Sequence, residues 1–189
     1  MLKPFYQGKL DTFCAIYAVL NALRLTHGIR VSKARDILNE SLLALASTPE
    51  AFRAVLEQTT DYLHLVDGLL RLQSRAFPLE VRKPFAGLPA PTEEELWQAC
   101  RQWLIPNAKR AVVFRFTRCM TPDLPPVSRH WTTADRMNDS ILHLFDSSHE
   151  AEAILNIRKD SFVTVPEAVT SERLLYIQPE SMRFLRLPF

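Results

Sequence analysis

Cys14 is the residue of this chain best placed to do chemistry. It stands between a polar segment, Gln7 to Thr12, and the dense apolar run CAIYAVLNALRL. Such a boundary marks a helix start, where unpaired backbone N–H groups and the positive dipole end favour a thiolate. A thiolate is a strong nucleophile, but acyl chemistry also needs a proton carrier and donors for the developing oxyanion. Five histidines compete for the first role: His27, His64, His130, His143 and His149. His27 reads as the end of the helix begun at Cys14, and His64 falls inside another helical stretch. His143 alternates with Leu142 and Leu144 in a strand, and His149 follows in a loop. His130 differs, because it opens a strand directly after PPVSR and is followed by Trp131. From His130 along that strand, round an Asn138-Asp139 turn and back, the chain reaches Asp146 about as far from the turn. The two should therefore face each other, and a carboxylate there can accept the imidazole N–H, fix its tautomer and stabilise the imidazolium. Gln7, seven residues before Cys14, can offer an amide N–H to the oxyanion. Cys100, among Trp97 and Trp103, and Cys119, at a strand end, read as small core residues.

The elements that must hold these groups fall into two halves. The run from Cys14 is apolar on nearly every side, which predicts a central buried helix, and Gly28 stops it. Ser32 reads as the cap of a second helix, Thr48-Pro49-Glu50 as the start of a third, and 61–74 as a fourth. Residues 76–92 hold four prolines and predict an extended surface connection. Thr92 before Glu93, Glu94 and Glu95 is a capped helix start with an acidic first turn, and that helix ends before Pro106. Beyond it, 111–118, 130–136, 140–146, 161–165 and 173–178 show strand patterning. Helices first and antiparallel strands later predict an α+β fold, one domain over 1–189, with a helical part to about 106 and a sheet part from about 107.

QGKLDTFCAIYAVLNAL and HWTTADRMNDSILHLFDSS together resemble the papain-like cysteine peptidase superfamily. The Josephin deubiquitinating domains and the bacteriocin-leader peptidase domains of bacterial exporters are the most similar in style. Those share a Gln, then a Cys opening an Ala- and Asn-containing apolar helix, then a His beside an aromatic, then an Asp or Asn on the next strand. The likeness covers about 35 of the 189 residues. It implies a papain-like fold with Cys14 as nucleophile, His130 as acid/base, Asp146 as its orienting partner and Gln7 as oxyanion donor, with Asp11 the alternative by likeness to ovarian-tumour-type deubiquitinases, which carry an Asp near the oxyanion loop. It also implies a protein or peptide substrate and no cofactor or metal. The same residues would serve a deamidase or transglutaminase-type effector, and a scaffold of this kind can also act as a non-catalytic protein-binding module.

Composition narrows the classes further. Hydrophobic residues at 47% and charged ones at 23% suit a globular chain, and a net charge of +2 gives nothing with which to neutralise phosphates, so no nucleic-acid partner is expected. Four glycines, without a GxGxxG or GKS/T pattern, argue against nucleotide binding. Three cysteines without CxxC spacing form no zinc motif and suit a reducing compartment. The start of the chain is no secretory signal and no apolar run is long enough for a membrane span, so a cytoplasmic protein is expected, export without a cleaved signal reading the same way.

Overall fold

The computed structural model describes residues 2–8, 12–105, 109–119, 126–148 and 155–188, so Asp11 and His149 lie outside the described residues. The chain is α+β. Helix α1 spans Cys14–His27, and Gly28 closes it in the left-handed conformation (φ 67°), its N–H donating to the Arg24 carbonyl. Helix α2 spans Val31–Ala46. It begins on Arg30 without a side-chain cap, so the expected cap Ser32 lies inside the helix. Helix α3, Pro49–Leu56, follows Thr48 with proline in its first turn. Helix α4, Tyr62–Gln73, starts on Asp61, whose carboxylate accepts the N–H groups of Leu63 and His64.

The proline-rich connection holds a short strand, β1 (Glu80–Arg82), and leads to α5 (Glu93–Leu104). The other strands are β2 (Arg110–Arg118), β3 (Val127–Met137), β4 (Ile141–Leu144), β5 (Asn156–Arg158), β6 (Phe162–Val163) and β7 (Leu175–Arg186). They form one sheet in the order β1-β7-β2-β3-β4-β5, each neighbouring pair antiparallel, with β6 added parallel to β7. The stretch 161–165 therefore contributes only two paired residues. β7 runs eight residues past the predicted end at 178, through Pro179, which sits in a register break and donates to no ladder there.

The sheet is covered on both faces. Ala111 and Val113 of β2 pack with Trp131 and Leu185 against α1, α2 and α4. The alternate residues Val112, Phe114 and Phe116 pack with Trp97 of α5 and Phe162 on the other face. A strand buried on both sides reads as a continuous apolar run, as AVVF does. The buried Thr133 hydroxyl donates to the Ala18 carbonyl at 2.8 Å and fastens β3 to α1, and because β3 begins at Val127, His130 lies three residues inside the strand it was expected to open. Among the described residues, no helix is long and apolar enough to cross a membrane.

Candidate active site

Cys14 is the first residue of α1, and the residue before it, Phe13, offers no side-chain cap. The N–H groups of Ile16 and Tyr17 donate to the Phe13 carbonyl at 2.9 and 3.1 Å, whereas those of Cys14 and Ala15 precede any intrahelical acceptor. The surroundings of this helix start converge on the Val55 carbonyl at the end of α3. It accepts the Gln58 N–H at 3.1 Å, the Tyr62 hydroxyl at 3.2 Å and, at the outer limit of 3.5 Å, the Thr12 hydroxyl.

The segment carrying Gln7 is held from both sides. Buried Asn21 of α1 accepts the Phe5 N–H at 2.7 Å and donates to the Phe5 carbonyl at 3.2 Å. Two residues on, the Gln7 N–H donates to the Ser147 carbonyl at 2.8 Å, beside Asp146. Gln7, Cys14 and His130 share a cleft of about 170 Å³ with Tyr62, Gln58 and Arg129.

His130 pairs with Phe116 of β2, whose ring meets the imidazole edge-on at 5.5 Å. Asp146 does not stand directly opposite His130, as counting from the turn suggests. The β3–β4 register shifts between Ala134 and Arg136, and Phe145 donates to the Thr133 carbonyl, so His130 is reached diagonally across the strands. The bond is nevertheless made: His130 Nε2 lies 2.9 Å from Asp146 Oδ2 and 3.2 Å from Oδ1. The His130 and Asp146 side chains are 13% and 1% exposed. The Ser148 N–H donates to Asp146 Oδ1 at 2.7 Å, and the Ser148 hydroxyl stands 3.2 Å from His130 Nε2. The ring shares the cleft with the Cys14 thiol, which favours the imidazolium. Because Nε2 faces Asp146, Nδ1 is the nitrogen left for the thiol.

Burial works against the His130 imidazolium. The hydrogen bond that the ring donates to Asp146 and the charges of Asp146 and Cys14 outweigh it, holding the group up at about 10. For Asp146, burial disfavours the carboxylate, but the bond to His130, its charge and the Ser148 N–H keep it below the ordinary carboxylate range. The pair is therefore ionised at neutral pH. Burial and the charge at Cys14 push the Tyr62 phenol up, against a smaller opposing effect of Arg115, so Tyr62 stays a neutral donor beside the cleft.

The other histidines have separate settings. His27 contacts the Thr26 hydroxyl through Nδ1 at 3.0 Å and meets Phe77 edge-on, and burial lowers its pKa. His143 lies within β4 and His64 within α4, and neither lines the cleft. Cys100 is fully buried, which pushes its thiol up to about 12. Cys119 is half-buried, and its core reading is corrected: it lies just past β2, where the chain leaves the sheet. Tyr62, Gln58, Arg129 and Ser148 were not anticipated. Ser148 carried a signal in the Asp-Ser-Ser sequence, whose first side chain accepts from the backbone two residues on. Among the described residues, no three His, Cys, Asp or Glu side chains gather to hold a metal. No protein-family model matches the chain, and comparison with curated proteins finds no match.

Proposed function

We propose that this chain is a thiol-dependent acyl-transfer enzyme of papain-like arrangement that hydrolyses a peptide or isopeptide bond through a thioester. The observation that carries the reading is the convergence of Cys14 and His130 at one cleft, with His130 hydrogen-bonded to Asp146 at 2.9 Å as a buried ion pair behind it. An imidazolium held charged through neutral pH stabilises a thiolate beside it. Cys14 Sγ attacks the carbonyl carbon, forming the C–S bond. The oxyanion meets the Cys14 N–H at the uncapped helix start and the Gln7 side chain. His130 gives its Nδ1 proton to the leaving nitrogen as the C–N bond breaks. A water then loses a proton to His130 and attacks the thioester, releasing the acid and restoring the thiolate–imidazolium pair. Asp146 holds the ring orientation throughout.

A panel of peptide and isopeptide amide reporters, read as turnover and as intact mass after acid quenching, tests the reading. Expected are an acyl adduct on Cys14 in the wild type and a loss of ~10³-fold or more in Cys14→Ala. Turnover surviving in Cys14→Ala would contradict it.

A further inference from the structure

We infer that Arg115 and Arg129 form a carboxylate-receiving pocket beside the Cys14 cleft, so that the substrate is a peptide with a carboxylate next to the bond attacked. The inference rests on the function proposed above and names the substrate class of the same site. A second cavity, of about 240 Å³, adjoins the cleft and shares Arg129 with it. Arg115, Tyr176 and Gln178 also line this cavity, and its Phe116 wall carries the ring against which His130 rests.

Two separate register breaks build the pocket. Between β2 and β3, Phe116 pairs with His130 but Arg118 pairs with Val127, so Ser128 and Arg129 both stand against Thr117. Arg129 takes φ 50°, a region that non-glycine residues rarely occupy, and its N–H is satisfied by the Thr117 hydroxyl at 3.2 Å. The only other non-glycine residue with positive φ among the described residues is Gln58, across the same cleft. Between β2 and β7, the Arg115 N–H donates to the Ser181 hydroxyl at 2.8 Å, and Arg115 Nε donates to Gln178 Oε1 at 2.6 Å. Gln178 in turn bonds Glu180 through its amide nitrogen. Arg115 is thereby oriented by a neutral amide, on the strand face that Ala111 and Val113 turn toward α1.

Among the described residues that line the pocket none is a carboxylate, and Glu180 stands behind Gln178. Neither guanidinium makes an ion pair with a carboxylate among the described residues, whereas Arg183 bonds Asp67 and Arg186 bonds Glu80. Burial and the charge of Arg129 disfavour the Arg115 guanidinium, and the charges of Glu180, Tyr176 and Cys14 act in the opposite sense. Two guanidiniums at one cavity match the planar, two-oxygen geometry of a carboxylate. That carboxylate is an Asp or Glu side chain or the free end of the peptide.

Iodoacetate and iodoacetamide differ in charge and little in size, so their relative rates at Cys14 report the local field without needing a substrate. Rates are measured by mass spectrometry near pH 7 in the wild type, Arg115→Gln, Arg129→Gln, the double variant and Arg115→Lys. The iodoacetate-to-iodoacetamide ratio should fall roughly fivefold to tenfold in the double variant, less in each Gln single, and be largely retained in Arg115→Lys. The contribution of His130 is common to every variant, the ratio cancels any change in thiolate fraction, and an unchanged circular-dichroism spectrum and melting transition show that the variants fold. An unchanged ratio would overturn the pocket while leaving the proposed function standing. Iodoacetamide labelling without preference for Cys14 would instead overturn the proposed function. In the second arm, fluorescent peptides bind Cys14→Ala protein. Weakening on Glu→Gln exchange assigns the carboxylate to a side chain, and weakening on C-terminal amidation assigns it to the chain end. Indifference to both would again overturn the inference.

Discussion

Helices α1 and α5 lie on opposite faces of the same sheet, yet they begin in opposite ways. At α5 the Thr92 hydroxyl accepts the Glu95 N–H at 3.2 Å, and the Glu95 carboxylate accepts the Thr92 N–H at 2.8 Å, with Glu93 and Glu94 beside them. At α1 no side chain fills that place, and the first residue is a thiol that shares its cleft with an imidazole. The cysteines repeat the contrast. Cys100, inside α5, is sealed in apolar surroundings that push its thiol up to about 12, while Cys14 stands half-exposed in a polar cleft. The same N-terminal field stabilises a helix in one place and is left open to a reacting charge in the other. An uncapped helix start beside a base is thus a sign of chemistry.

The largest effect that would test this contrast lies at Asp146. Asp146→Ala leaves a buried imidazolium without its partner, and a loss of about 3–5 kcal/mol in urea unfolding is expected, together with most of the turnover. Asp146→Asn still offers an oxygen to the ring N–H and should retain substantially more turnover. Equal, near-complete loss in both would mean that the charge itself is needed, and wild-type rates in Asp146→Ala would place the third member elsewhere. Asp135 and Asn138 are poorly situated for that role. Burial raises the Asp135 pKa, and the Asn138 side-chain oxygen is occupied by the Ser140 and Ile141 N–H groups of the turn.

A smaller effect distinguishes the two helix starts by pH. The folded-state value of His130, about 10, lies above the unfolded value of about 6.5. Its stabilisation is therefore complete below roughly pH 6.5 and is lost as pH rises toward 10. Asp146 is lowered, so its share is present above roughly pH 4 and is lost as pH falls through its folded value. The melting-temperature deficit of Asp146→Asn should be widest near pH 5–6 and narrow toward pH 10. A deficit that grows with pH would contradict the ion pair. The smallest effect is at α5, where Thr92→Ala should cost about 1 kcal/mol at any pH in that range and leave turnover unchanged.

Much of this was legible because local signals agreed. The apolar run from Cys14 to Gly28, proline after Thr48, Asp61 before α4 and the Thr92–Glu95 box each mark a helix end by backbone chemistry alone. The Asn138 turn made it possible to bring His130 and Asp146 to the same edge on paper. What stayed hidden was non-local. Three-residue β1 exists because β7 offers an edge to it, and the prolines around it suggest only a loop. β7 continues through Pro179 because a register break removes the need for its N–H. Tyr62, Gln58 and Arg129 reach the cleft through an inter-helix turn and a bulge, neither of which leaves a periodic trace. Gln58 holds the left-handed position after α3, its N–H on Val55 and the Thr59 N–H on Ala54, where glycine is the usual occupant. Cys119 read as core because a strand end and a chain exit look alike in sequence.

The central claim is that His130 holds Cys14 reactive at neutral pH, and the most direct measurement is the iodoacetamide rate at Cys14 from pH 5 to 9, in wild type and His130→Ala. The wild type should stay reactive into the acidic half of that range, because the imidazolium beside the sulfur persists there. In His130→Ala that acidic-side reactivity should disappear, while replacing His27, His64 or His143 leaves the profile unchanged. Superimposable profiles for wild type and His130→Ala would contradict the account.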